Sequence, residues 1–168
     1  PIAPDLVNPV VTDSGEGLGV VMAGRESRRS IPLETLACFI KAMREKLGAG
    51  PVYLLGSSSE QPLARKLKGL LDPKILSEVT DLTGKTNWTD LVQVVQGLKT
   101  VLTPDTGTMH LASHLGVKVW AFFFSSAWCF ETGPYGRGHV VFQVMPHCAP
   151  CVESRPCNFD LICHQKLA

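Results

Sequence analysis

The sequence has no apolar run longer than Val119–Phe124, far short of the ~20 residues that span a bilayer. Charge is sparse and balanced: 16 Lys and Arg stand against 15 Asp and Glu, for a net charge of +1. With no long basic run, nothing in the chain asks for nucleic acid. Internal repeats and low-complexity tracts are missing, so solenoids and disordered arrays are excluded. No signal peptide opens the chain, which points to a reducing, cytoplasmic setting. It begins with Pro1 rather than Met and is expected to be a piece of a longer polypeptide. What is present is ordinary for a folded domain: 168 residues, 45% of them hydrophobic, enough for one real core.

One stretch organises the rest, Lys99 to Gly116, KTVLTPDTGTMHLASHLG. Thr100–Thr103 is apolar and β-branched, as a buried parallel strand should be. Pro104 cannot continue a ladder. Asp105, Thr106 and Gly107 supply a turn, with Asp or Thr as the candidate helix cap. Met109, Leu111, Ala112 and Leu115 give the next segment an apolar face, and Gly116 suits a helix C-terminus. A helix opening on Thr-Gly-Thr points unpaired N–H groups forward, and its dipole favours an anion there by ~0.3–1 kcal/mol. Asp105, Thr106, Gly107 and Thr108 therefore read either as a phosphate cradle or as an ordinary strand–helix turn.

Residues 1–17 read as a linker or irregular lead-in, with mixed polarity and no period. Strands are expected at Leu18–Ala23, Pro51–Leu55, Ile75–Val79, Thr100–Thr103, Lys118–Phe124 and Val140–Val144. Helical spacing separates them: Leu33, Leu36, Ile40 and Met43 in one segment, Glu60 to Leu71 in another, and a third capped by Asn87 or Thr86 with Asp90 in its first turn. Alternating strand and helix imply a Rossmann-like α/β domain over residues 18–145, a parallel sheet with helices on both faces and right-handed crossovers. Arg25, Arg28 and Arg29 follow the first strand, at the edge where such sheets bind ligands. Guanidinium forks match phosphate oxygens, though a solvated loop would look the same. His110 and His114 lie four apart on one helix face. With no Glu between them and no evident third ligand, separate roles are favoured over zinc.

Residues 146–168 form a Cys-rich segment. Cys148-x2-Cys151-x5-Cys157-x5-Cys163 places four thiols close together, and four thiolates can enclose a tetrahedral zinc. A structural zinc is the leading reading, with disulfides or free thiols as alternatives and an iron–sulfur cluster weaker still. Cys38 and Cys129 read as ordinary packed thiols.

PDTGTMHLASHLG followed by ETGPYG resembles the C-terminal, donor-binding domain of glycosyltransferase family 9, the ADP-heptose:lipopolysaccharide heptosyltransferases. The resemblance covers most of the chain from about Leu18. It implies one half of a GT-B glycosyltransferase, with a preceding N-terminal domain as its partner. By resemblance, the Asp105–Thr108 turn and His110 hold the donor diphosphate. Arg29, aligned through Pro32, contacts phosphate and stabilises the leaving group, with Arg25 as the other register because Ile31 stands where the family has Trp. Glu60 accepts from a ribose diol, and Gly84-Lys85-Thr86 lies near the nucleoside. Thr132-Gly-Pro-Tyr-Gly136 closes over the site, while Phe124-Ser125-Ser126 departs from the family's G-P-T and leaves the sugar open. Many family members carry a similar cysteine-rich tail.

The resemblance therefore implies an inverting, metal-independent transfer of a sugar, heptose by resemblance, from an ADP-sugar to a lipopolysaccharide core acceptor. No catalytic cofactor is expected. The general base would lie on the N-terminal domain. Such an enzyme works in the cytoplasm, free or as a peripheral protein at the inner membrane. Two rivals stay open: a nucleotide-binding module without transfer activity, and a metal-binding interaction domain built on the cysteine tail.

Overall fold

The computed structural model describes residues 15–24, 27–48, 50–152 and 155–167. Most of the lead-in and Arg25 lie outside the described residues. The chain runs β1 (Leu18–Val21), a 3-10 turn at Ser27–Arg29, α1 (Leu33–Leu47), β2 (Val52–Leu55), a 3-10 turn at Ser58–Glu60, α2 (Gln61–Leu70), α3 (Pro73–Leu76) and β3 (Val79–Asp81). It continues through α4 (Trp88–Gln96), β4 (Thr100–Pro104), α5 (Gly107–His114), β5 (Lys118–Phe123), α6 (Cys129–Thr132), β6 (Val140–Gln143) and α7 (Ile162–Gln165).

All strand pairs are parallel, in the order β3-β2-β1-β4-β5-β6. The chain builds outward from β1 to β3, then crosses back to lay β4 beside β1 and builds outward the other way. The crevice beyond the carboxyl ends of β1 and β4 is the topological switch point of a doubly wound sheet, where such folds bind ligands.

Side chains alternate between the two faces, and each face is closed by its own helices. Leu18, Val20, Leu54, Leu102 and Phe122 pack with Leu36 and Ile40 of α1 and Ala64 and Leu67 of α2. On the other face Val21, Val101, Val119 and Phe123 meet Val95 of α4 and Met109 and Ala112 of α5. Phe39 of α1 sits edge-on to Phe122 with ring centroids 4.9 Å apart, and Phe122 stacks on Phe142 at the same separation. Phe122, the fully buried ring of the three, stabilises the fold by ~1.5–3 kcal/mol relative to exposure. Cys163, 7% exposed, joins the first core from the chain's far end.

The elements depart from the sequence reading at their ends and at one internal point. β1, β5 and β6 stop one or two residues early. Pro104 is the last paired residue of β4, opposite Phe122, at the carboxyl end of the strand, where the ladder to β1 has already stopped at Leu102. The third strand begins at Val79 rather than Ile75. Asp72 accepts from the Lys74 amide at 3.1 Å, and Pro73 holds the first helical position, so Ile75 is drawn into α3. The cap overrides the β-preference of a β-branched residue.

Candidate functional site

At the carboxyl end of β4 the chain turns through Asp105 into α5. Thr106, in extended conformation, caps the helix: its Oγ1 accepts from the Met109 amide at 3.3 Å and is itself 2.9 Å from Thr103 Oγ1. Thr106 and not Asp105 is therefore the cap. Among the described residues no acceptor pairs with the amides of Gly107 and Thr108 at the helix start, which face forward with the dipole. A Cβ built on Gly107 meets nothing within 4 Å, so open space lies in front of those donors. At the other end, Gly116 takes φ 73° and closes the helix with a Schellman motif, Val117 N–H donating to Ala112 O at 2.9 Å.

Asp105 is 8% exposed and gathers side chains from three elements. Its Oδ2 accepts from Arg29 Nη1 at 3.0 Å and from Thr132 Oγ1 at 3.4 Å, and its Oδ1 lies 3.9 Å from His110 Nε2. Arg29 reaches it from the loop after β1, so the ion pair spans the switch point. Gly24 makes that approach possible, since a Cβ there would stand 2.8 Å from Arg29 Cβ. The buried carboxylate holds the guanidinium beside the open helix start.

The other wall comes from the turn after β2 and the start of α4. Glu60 Oε2 accepts from the Ser57 amide at 2.7 Å and from Ser57 Oγ at 3.0 Å. Its Oε1 is shielded from solvent and has no hydrogen-bond partner. Gly56 makes room for this carboxylate, as a Cβ there would lie 2.7 Å from Glu60 Oε2. Asn87 and Asp90 form a reciprocal capping box that fixes the start of α4. Between the walls lies a cavity of about 600 Å³, lined among others by Glu60, Thr86, Trp88, Leu91, Thr106 and Thr108. That volume suits a small-molecule ligand.

The structure thus brings Glu60, Thr86, Thr106 and Thr108 onto one cavity, with Gly107 at its helix start and the Arg29–Asp105–His110 cluster alongside. Lys85 turns away: its Nζ donates to Asp81 O at 2.7 Å. Sequence reasoning did not single out Ser57, Trp88 or the Thr132 link to Asp105.

The four tail cysteines line a different, much smaller cavity of about 10 Å³, beside Arg28 and Ser125. All six cysteines are free thiols. Among the described residues no three His, Cys, Asp or Glu side chains stand in an arrangement that could hold a metal ion. Burial and the neighbouring thiols of Cys148, Cys163 and Cys157 push the Cys151 thiol up, whereas the backbone amides of Phe159 and Leu161 hold the Cys157 thiol down.

A doubly wound sheet with a cavity at its switch point suits a small-molecule ligand, and comparison with known proteins identifies the family. The profile of Glycosyltransferase family 9 (heptosyltransferase) matches residues 37–162. The chain belongs to glycosyltransferase family 9. Lipooligosaccharide heptosyltransferase 2 of Haemophilus influenzae is 31% identical over 62 residues, 37% of this chain and 18% of that protein. Among solved structures, E. coli ADP-heptose lps heptosyltransferase II superposes with TM-score 0.71 at 17% identity, covering 93% of this chain and 47% of that one. E. coli heptosyltransferase WaaC with ADP gives TM-score 0.66 at 22% identity, over 82% of this chain and 40% of its own. The chain therefore spans less than half the length of these heptosyltransferases. Among the described residues no helix is long and apolar enough to cross a membrane.

Proposed function

We propose that this chain is the donor-binding half of a family 9 glycosyltransferase that takes an ADP-sugar, ADP-heptose in this reading, and serves a lipopolysaccharide core acceptor. The observation that carries it is the cavity at the β1–β4 switch point, with the start of α5 at one end and Glu60 at the other. The WaaC relative was solved with ADP and with ADP-2-deoxy-2-fluoro heptose, which supports the same ligand class here.

In this reading the first-turn amides of α5 bind the diphosphate, and the Glu60 carboxylate accepts from a ribose hydroxyl. As the acceptor oxygen attacks the anomeric carbon and the glycosidic bond breaks, negative charge grows on the departing diphosphate. Arg29, already held beside the cradle by Asp105, stabilises that charge together with the amides of Gly107 and Thr108. The acceptor hydroxyl loses its proton to a carboxylate, and configuration inverts. No metal is assigned to the step. Glu131, exposed in α6, and Asp105, tied to Arg29, are poorly placed as the base, so the base is assigned to an N-terminal half, with the enzyme working at the cytoplasmic face of the inner membrane.

Holding both reactants in place is worth ~7–11 kcal/mol of barrier, and one half cannot provide that. The test is to titrate the chain with ADP-heptose and to assay transfer to a heptose-deficient core acceptor, with and without an N-terminal half. The expected result is donor binding by the chain alone and transfer only with both halves. Transfer by the chain alone at a comparable rate would overturn the division of labour.

A further inference from the structure

The four tail cysteines differ in what they face. Cys163 is 7% exposed, packs in the core and borders the cavity of about 10 Å³. Cys148, Cys151 and Cys157 border that cavity too, and they also line an open groove of about 250 Å³. Arg28, Arg155 and the exposed ring of Phe159 share the groove, and Asp160 is the opposing charge beside Cys157. A thiol kept for packing is covered, whereas three partly open thiols flanked by guanidiniums are set up to react. Cys157 is the best equipped of them. The backbone amides of Phe159 and Leu161 donate to its sulfur, where Asp160 and Leu161 take φ 44° and 54° and curl the chain round it. Amides placed in this way stabilise negative charge on sulfur. Cys151 is the matching second thiol. The thiols of Cys148, Cys163 and Cys157 all stand close enough to act on it, and its amide donates to Ser125 O at 2.7 Å. The residue after it supports the arginine loop: Arg28 Nη1 donates to Val152 O at 3.3 Å, and His164 Nε2 lies 2.9 Å from Arg28 O. Arg29, next in the chain, is the residue paired with Asp105.

We propose that this groove is a thiol-modification site for a small, carboxylate-bearing disulfide, which oxidises it to a Cys151–Cys157 disulfide and through Val152 loosens the arginine loop. The effect of that loosening on donor binding rests on reading the switch-point cavity as the donor site. The Cys157 sulfur attacks one sulfur of the small disulfide, forming a mixed disulfide and displacing one small thiol. The Cys151 sulfur then attacks the Cys157 sulfur and displaces the second. Two electrons pass from the protein's sulfurs to the reagent, and the two thiol protons leave on the two small thiols. Arg28 and Arg155 match the reagent's carboxylates. Excess small thiol drives the exchange backwards, so the modification is reversible.

The test is to incubate the reduced chain with glutathione disulfide and follow intact mass, alkylatable thiols and peptide maps. Cys38, exposed on α1, is replaced by Ser throughout so that it adds no signal. The chain should lose two alkylatable thiols and the mass of two hydrogens, with Cys151 and Cys157 joined. Cys151→Ser should stop at one glutathione adduct on Cys157, Cys157→Ser should form no such bond, and Cys148→Ser should react like its parent. Cystamine, a cationic disulfide, should react more slowly. A bond between other cysteines, cystamine reacting at least as fast, or tail thiols blocked by metal in the purified chain would overturn the site. ADP calorimetry reads the loop. Oxidation should weaken ADP about fivefold or more, reductant should restore it, and Cys157→Ser should be indifferent to the reagent. Equal ADP affinity before and after oxidation would overturn the link to the loop. A chain that binds no ADP in either state would overturn the donor-site reading and the link with it, while the mass data still decide the modification site.

Discussion

The two ends of the cavity are built on opposite plans. At the end proposed for the diphosphate the protein has already matched charge with charge: Arg29 sits 3.0 Å from a carboxylate that is 8% exposed, with Thr132 and His110 on the same group. At the end proposed for the nucleoside the polar group is the Glu60 carboxylate, held by Ser57, and Trp88 stands 67% exposed. The difference follows from what each end must do. A site for a doubly charged group needs its cation held in place before the ligand arrives, and a buried partner does that at low conformational cost. A site for hydroxyls and a ring needs open surface and an acceptor with capacity to spare, which a carboxylate has. Affinity at the first end is thus a contest between ligand and Asp105, whereas at the second the ligand joins Ser57 on Glu60.

The largest effect should come from Arg29→Ala. Loss of a charge-assisted bond costs ~1.5–3 kcal/mol, so ADP-sugar binding should fall about ten- to a hundredfold. The variant also strands Asp105, so its melting temperature should drop; Arg28→Ala, which removes an Nη1 that donates to Val152 O at 3.3 Å, is the comparison for binding. Equal losses of binding in the two variants would place phosphate contact elsewhere in the loop. Next comes Gly107→Ala. The space in front of Gly107 is empty in the free chain, and Ala is the better helix former by up to ~1 kcal/mol, so stability should rise. Donor affinity should fall by ~1–2 kcal/mol as the methyl crowds the phosphate. A variant both more stable and equally tight would remove the cradle.

Glu60→Gln should cost less, ~1 kcal/mol of ADP affinity, with pyrophosphate binding untouched. Equal loss for both ligands would break the contrast between the two ends. The smallest effect is a pH dependence at the opposite, amino edge of the sheet, beside the start of β5. His139 Nδ1 accepts from the Val119 amide at 3.1 Å and its Nε2 lies 2.7 Å from Tyr135 O, an arrangement that requires the neutral ring. Burial pulls its pKa below 6.5 and Lys118 adds to this, against the hydrogen bond to Tyr135. The folded state therefore binds fewer protons than the unfolded state just below that value. The stabilisation is complete above about pH 6.5 and declines as pH falls towards the folded pKa. Thermal melts between pH 7.5 and 5 should show that decline in the native chain and lose it in His139→Gln.

Much of this architecture can be read from local chemistry. The β4–turn–α5 unit is legible because a proline, a threonine cap and two glycines each carry their own conformational instruction, and those instructions agree. The sheet is legible because six apolar segments alternate with helical periods. Ile75 misleads since its β-branched side chain speaks for a strand, and only the Asp72-Pro73 cap, a weaker signal, speaks for a helix. Trp88 is harder in a different way. At its helical spacing from Leu91 and Val95 it is indistinguishable from a core residue, and only the position of the sheet edge shows that the apolar face of α4 has run past the core. The Arg29–Asp105 pair joins residues 76 positions apart, and no local pattern announces it. The tail is the reverse case: its thiol spacing suggests a cage, yet the turns that carry the sulfurs gather them around a cavity without closing on a point.

The loop that carries the arginines is also held from the far end of the chain. Arg28 Nη1 donates to Val152 O at a sequence distance of 124 residues, and His164 Nε2 lies 2.9 Å from Arg28 O at a distance of 136. A ribosome delivers these partners in order, so the parallel sheet up to β6 can assemble while the arginine loop still lacks two of its restraints. The arginine loop is then the last part of the domain to mature during synthesis, and a nascent chain cut short before residue 152 would carry a finished sheet and a loop short of its restraints.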